Sequence, residues 1–173
     1  MALESLDIQT KLQDTFGEKV FNFRTEFDMF VFDVEATSNL EIIKFLKEEP
    51  SLNFNFLTDV CGIHYPDNPA NEQFCVVYHM HNWFENKRIR IKAYLPGEHP
   101  RINSVTSLFL SADWQERETY DFYGIHFEGH PNLCRILNMD EMISFPMRKE
   151  FPMEDSGRTD KDDRFFGRTI NNC

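Results

Sequence analysis

The sequence predicts an α+β domain of two layers: a mixed or antiparallel sheet of about four strands with helices on one face, then an extended carboxy-terminal tail. Three observations carry this. Arg88-Ile89-Arg90-Ile91-Lys92 alternates basic and apolar side chains, the period of a half-buried, antiparallel strand with one wet face. Leu40, Ile42, Ile43, Phe45 and Leu46 recur at helical spacing and stop before Pro50. From Phe127 onward Pro131, Pro146 and Pro152 interrupt any long element, and residues 148–168 mix both charge signs without apolar periodicity. The chain therefore divides into a domain at 1–125 and a Pro-interrupted tail at 126–173, which reads as an arm ordered against a partner.

In chain order, Leu3, Leu6, Leu12 and Phe16 mark a first helix that Gly17 stops. Residues 20–34 alternate or run apolar, with Met29 to Phe32 and Val34 as a strand. Thr37, Ser38 and Asn39 are N-cap candidates for the helix at 40–46, because short polar side chains can accept the free amides of a first turn. Phe54 to Ile63 is strand-prone, and Tyr65-Pro66-Asp67-Asn68-Pro69 is a turn. Phe74 to Met80 is a strand, His81 to Lys87 a loop, and Arg88 to Lys92 the next strand, closed by Pro96-Gly97. Ser104 to Leu110 reads as helical.

The composition excludes several classes. With 18 Lys+Arg against 29 Asp+Glu the formal charge is −11, which opposes attachment to nucleic acid or to anionic lipid. The longest apolar run, Phe74 to Tyr78, is far short of the roughly 20 residues of a membrane-spanning helix. The start, with acids early and no basic-then-apolar layout, does not read as a secretory signal, so a cytoplasmic or cytoplasm-facing chain is expected. Cys61, Cys75, Cys134 and Cys173 form no Cys-x-x-Cys pair, so cluster and zinc-ribbon ligation lack their local pattern, and free thiols are expected. No Gly-x-Gly-x-x-Gly or Gly-x-x-x-x-Gly-Lys loop is present for a nucleotide.

The most informative segment is 113–137. Asp113 and Glu116 have the spacing of a capping box, and Gly124 suits a left-handed helix stop. Asp113, Arg117 and Asp121 stand at i, i+4 and i+8, an acid–base–acid stripe worth about 0.2–0.5 kcal/mol per exposed pair. Glu116 and Glu118 diverge at i, i+2 on a helix, which disfavours a paired-carboxylate hydrolase. His79 and His81 share one face of a strand and could meet a metal with His64, Cys61 or Cys75; half-exposed strand polarity is the simpler account.

Taken together, Glu116, Arg117, Glu118, Asp121, Phe122, Tyr123, Gly124, Ile125, Gly129, His130, Pro131, Leu133, Arg135, Ile136 and Leu137 stand in a fixed frame. That frame resembles the signature of the 30 kDa subunit (the C-subunit) of NADH-quinone oxidoreductase, respiratory complex I. The likeness extends more loosely through Asp59-Val60, His64 to Pro66, Val76 to His79, Arg88 to Lys92, Pro100, Ser104, Val105, Trp114 and Met147 to Pro152, covering about residues 30–153. Cys134 departs from it, standing where many members have the first of two adjacent arginines, and so does Met142, at a place often held by Trp.

The resemblance implies an accessory subunit of a proton-translocating enzyme's hydrophilic arm, non-catalytic in isolation, with no cluster, flavin or metal of its own. NAD and quinone would be substrates of the complex, and iron–sulfur clusters would sit in neighbouring subunits. Its partners would be the quinone-site and cluster-bearing subunits, with peripheral association through them on the cytoplasmic side of the bacterial inner membrane. Glu116, Arg117, Glu118, Asp121, Gly124, His130, Pro131 and Arg135 would be its signature and interface residues. A homologous subunit of a membrane-bound energy-converting hydrogenase or a ferredoxin-linked quinone reductase fits the same frame, and a lone His/Cys metal-binding protein is the remaining alternative.

Overall fold

The computed structural model describes residues 5–151. Its elements in order are α1 (Ser5–Phe16), β1 (Val20–Glu26), β2 (Met29–Val34), α2 (Asn39–Glu48), β3 (Phe56–His64), β4 (Phe74–Asn82), β5 (Lys87–Leu95), β6 (Arg101–Asn103), α3 (Ala112–Tyr123) and β7 (His126–Glu128). Five strands form a mixed sheet in the order β1-β2-β5-β4-β3, one more than the pattern predicts. All neighbours are antiparallel except β2 and β5, which run parallel. β6 and β7 form a separate parallel pair.

Register explains the two layers. Phe30, Phe32 and Val34 stand opposite Ile89, Ile91 and Ala93, and these opposite Met80, Tyr78 and Val76. This row is buried, and α1 (Ile8, Leu12), α2 (Ile42, Ile43, Leu46) and α3 (Ala112) pack into the same core. The helices thus lie on one face, as predicted. The opposite face carries Arg90, Lys92, His79 and Asp59, and among the described residues no helix covers it.

Several local expectations are corrected. The predicted strand at Met29 to Val34 is present as β2, and the residues before it form a further strand, β1, in a hairpin whose turn residues Phe27 and Asp28 both take positive φ without the usual Asn-Gly. On α1 the buried residues are Ile8 and Leu12, while Leu6 is exposed; Leu3 lies outside the described residues. Ser38 precedes α2 without a side-chain cap bond, and Asn39 instead donates to the Asn103 carbonyl (2.8 Å) and the Tyr78 hydroxyl (3.2 Å). β4 runs through His81 and Asn82, whose Oδ1 accepts the Phe84 and Glu85 amides and tightens the turn. Ser104 to Leu110 is a series of turns rather than a helix.

Residues 126–151 fold back onto the domain. β7 pairs with β6, and the following chain lies against α3. Residues 152–173, which hold the rest of the predicted tail, are outside the described residues.

Candidate functional site

The site is built on α3 and the segment 129–149 that α3 holds. α3 seats against β3 because Gly62 admits it: a Cβ there would stand 2.8 Å from Tyr123 and 2.9 Å from Thr119. The helix ends at Gly124, as its sequence predicts, with φ +72° and its N–H donating to the Tyr120 carbonyl at 2.8 Å.

Glu116 is fully buried. It does not close a capping box with Asp113, because the helix already begins at Ala112 and places Asp113 inside its first turn. Its Oε1 accepts the Val105 amide (2.7 Å) and its Oε2 the Ser104 hydroxyl (2.6 Å). These bonds fasten the turn at 104–106 to α3. Burial pushes the carboxyl up to about 7, because two neutral donors do not replace a cation.

Asp121 is equally buried and meets the reverse condition. Arg135 Nη1 donates to Oδ1 at 2.7 Å, joined by Asn138 Nδ2 at 3.0 Å. The amides of Ile136, Leu137 and Asn138 donate to Oδ2 at 3.1, 2.8 and 2.9 Å. Burial acts to raise this carboxyl, but the amide, Arg135 and Asn138 bonds outweigh it and hold it well below the usual range. The same guanidinium continues to the Met142 and Ser144 carbonyls (2.7 and 3.0 Å) and lies over the Phe145 ring.

The predicted acid–base–acid stripe does not form. Arg117 donates to the Cys134 carbonyl (3.1 Å), the Cys134 sulfur (3.0 Å) and the Arg135 carbonyl (3.3 Å), and stacks over Trp114. Cys134, the departure from the family frame, therefore sits where a second guanidinium would meet Arg117. His130 Nδ1 accepts the Asn132 amide, so Nε2 carries the proton and points to the Asp113 carbonyl at 3.2 Å. Glu118 and Pro131 are exposed.

Sequence reasoning missed the far end of this clamp. Arg148 donates to the Tyr123 carbonyl (2.7 Å) and is sandwiched between Phe74 and Phe145. His64, stacked on Phe74, accepts the Lys149 amide at Nδ1 (2.9 Å). The available signal was the pair of outlying matches, His64-Tyr65-Pro66 and Met147-Arg148-Lys149, which meet in space. With its polar groups turned inward, the segment presents Leu137, Met139, Ile143, Met147 and Phe151 to solvent.

His79 and His81 share the open face of the sheet, as their spacing predicts, but each already has neighbours. Arg90 Nε donates to His79 Nε2 at 2.9 Å, and His81 Nε2 lies 3.3 Å from Asn86 Oδ1. Among the described residues no three His, Cys, Asp or Glu side chains gather as a metal centre. Burial pushes the Cys61 thiol up to about 11 and the Cys75 thiol up to about 12, so neither is a thiolate near neutrality. Among the described residues, no helix is long and apolar enough to cross a membrane.

Residues 32–157 match the family model described as respiratory-chain NADH dehydrogenase, 30 Kd subunit. The NADH-quinone oxidoreductase C-subunit 2 of Rhizobium meliloti (strain 1021) is 42% identical over 145 residues, 83% of this chain and 78% of that protein. The NADH-quinone oxidoreductase C-subunit of Mycolicibacterium gilvum (strain PYR-GCK) is 35% identical over 140 residues, 81% of this chain and 62% of that protein. Among solved structures, the trypsin-resistant fragment (1–134) of Nqo5 superposes with TM-score 0.61 at 31% identity, covering 75% of this chain and all of the fragment. A chain of the membrane-bound sulfane sulfur reductase, an archaeal respiratory membrane complex, shares the fold with TM-score 0.71 at 23% identity, covering 86% of this chain and 85% of that one. The chain belongs to the 30 kDa subunit family of respiratory-chain NADH dehydrogenase.

Proposed function

We propose that the chain is an accessory subunit of the peripheral arm of a proton-translocating NADH-quinone oxidoreductase. It carries no cluster, flavin or metal, and it performs no chemistry alone. It docks on the cluster-bearing and quinone-site subunits, on the cytoplasmic side of the membrane, and its role is to hold them in register while electrons pass from NADH to quinone. One observation carries this reading: Asp121 and Arg117 on α3 bind the segment at 130–149, whose own Arg135 and His130 bind back to α3, and that segment turns a row of apolar side chains outward. Exposed apolar patches of this kind mark protein–protein contacts.

The test is affinity purification of the tagged chain from its native membranes, with mass spectrometry of what it retains. Ile143 is 96% exposed, so Ile143→Glu leaves the fold intact while placing a charge in the contact. The unaltered chain should retain cluster-bearing and quinone-site subunits, and the variant should lose them. A lone monomer with its own turnover would overturn the proposal. The same mass spectrum separates it from membership of an energy-converting hydrogenase or ferredoxin-linked reductase, whose neighbours differ.

A further inference from the structure

The uncovered face of the five-stranded sheet has features that the clamp on α3 does not explain. β2 and β5 start at the same end of the sheet, and β3 starts there too, with Phe56 opposite His81. Both hairpin turns at this end carry aromatic rings in solvent: Phe27 is 96% exposed, Trp83 61% and Phe84 80%. A groove of about 630 Å³ runs beneath them on the open face, lined by Met29, Phe56, His79, Trp83 and Arg88. Phe56 meets Trp83 edge-on at 5.4 Å, forming its wall. Solvated hairpin tips are ordinarily polar, so rings here are costly unless something covers them.

The charge on this face runs against that of the chain. The whole protein carries −11, yet Arg24, Arg88, Arg90 and Lys92 line the same side of the sheet. Glu26 serves three of them: Arg24 at 2.6 Å, and Arg90 and Lys92 at 3.6 Å each. Asp33 is paired with Arg24 at 3.0 Å, and Asp59 faces His79. Among the described residues Arg88 is exposed and has no ion pair. The row is therefore short of carboxylates, and a second copy of this chain, itself at −11, would meet it against net repulsion.

We infer that the open sheet face is a second docking surface, for an acidic segment of a sister subunit that sets an apolar side chain into the Phe56–Trp83 groove and carboxylates along Arg88, Arg90 and Lys92. The inference rests on the proposed function for the existence of sister subunits. Their number and the first interface are independent of it. Contact-range ion pairing along the row selects an acidic segment, and the groove fixes its register.

A photo-crosslinking residue in place of Phe84, in the assembled complex, tests this directly. The cross-linked peptide should come from another subunit and be rich in Asp and Glu. Arg88→Glu should lower the yield about two- to fivefold, the effect of one exposed ion pair, and added salt should lower it further. Neither position is buried, so folding is retained. An assembled complex whose position 84 captures lipid, a second copy of the chain, a segment without acids, or nothing overturns the inference alone. A chain that retains no sister subunit overturns the proposed function as well.

Discussion

Glu116 and Asp121 lie on one helix, both buried, with opposite electrostatics: Glu116 meets a hydroxyl and one amide, Asp121 a guanidinium, three amides and a carboxamide. The contrast separates their pH behaviour. Burial raises Glu116 from its ordinary 4.5 to about 7, so the folded state holds a proton that the unfolded chain has released. Its contribution to stability is full below 4.5 and is lost as pH rises to about 7. Glu116→Gln should flatten that dependence and recover up to about 3 kcal/mol at pH 8. Urea unfolding at pH 5, 6.5 and 8 measures it; parallel pH profiles for both proteins would contradict it.

Asp121 titrates the other way. Its folded carboxyl lies below the ordinary 3.8, so its stabilisation is present above that value and drains away as pH falls through the folded one. Asp121→Asn strands Arg135 and should cost about 3–5 kcal/mol, as breaking a buried pair does. Limited proteolysis should then cut between Leu137 and Met147, where the unaltered protein resists.

His64 gives a third signal, at the far end of the clamp. Burial lowers it from 6.5, Arg148 and Lys149 lower it further, and Glu150 opposes them. The folded state therefore takes up its proton later than the unfolded chain. Docking of residues 147–149 is complete above 6.5 and weakens as pH falls below it. Hydrogen exchange should show protection of the Lys149 amide falling between about pH 7 and 5. His64→Asn, which keeps an acceptor near Nδ1, should remove that trend.

Gly62 and Gly124 test the fit of α3. A methyl at Gly62 overpacks the contact with Tyr123 and Thr119 and should cost about 1–3 kcal/mol. At Gly124 an added Cβ meets Phe145 at 2.5 Å and Arg148 at 2.7 Å, and the backbone is left-handed as well. Gly124→Ala should therefore be the more damaging, lowering Tm further than Gly62→Ala in the same thermal scan.

The parts of the fold legible in the sequence are those where one face alternates or recurs. β5 is recognisable because Arg88, Arg90 and Lys92 interleave with buried Ile89 and Ile91. The β1–β2 turn is hidden because Phe27 and Asp28 adopt positive φ without glycine. Val105, Leu108 and Phe109 have helical spacing, and the Leu108 and Phe109 amides do reach the Val105 carbonyl, but the segment makes a single turn and is tied to Glu116 instead of continuing as a helix. In the site, residue types were legible and their partners were not. An i, i+4 pairing of Arg117 with Asp121 offers about 0.2–0.5 kcal/mol, far less than Arg135 with three amides in a buried setting. Sequence spacing shows only the weaker option.

The short parallel ladder between β6 and β7 gives the molecule a mechanical property. Ser104 N–H to Glu128 O and His126 N–H to Pro100 O, both within 2.9 Å, extend that ladder and tie the two ends of the α3 segment together. Residues 129–149 are in turn bonded directly to α3, at Asp121 and at the Tyr123 carbonyl, so the ladder closes the base of the segment and the α3 bonds hold its length. The segment that carries the outward apolar side chains is thus anchored at its root by main-chain bonds that do not depend on the side chains of α3.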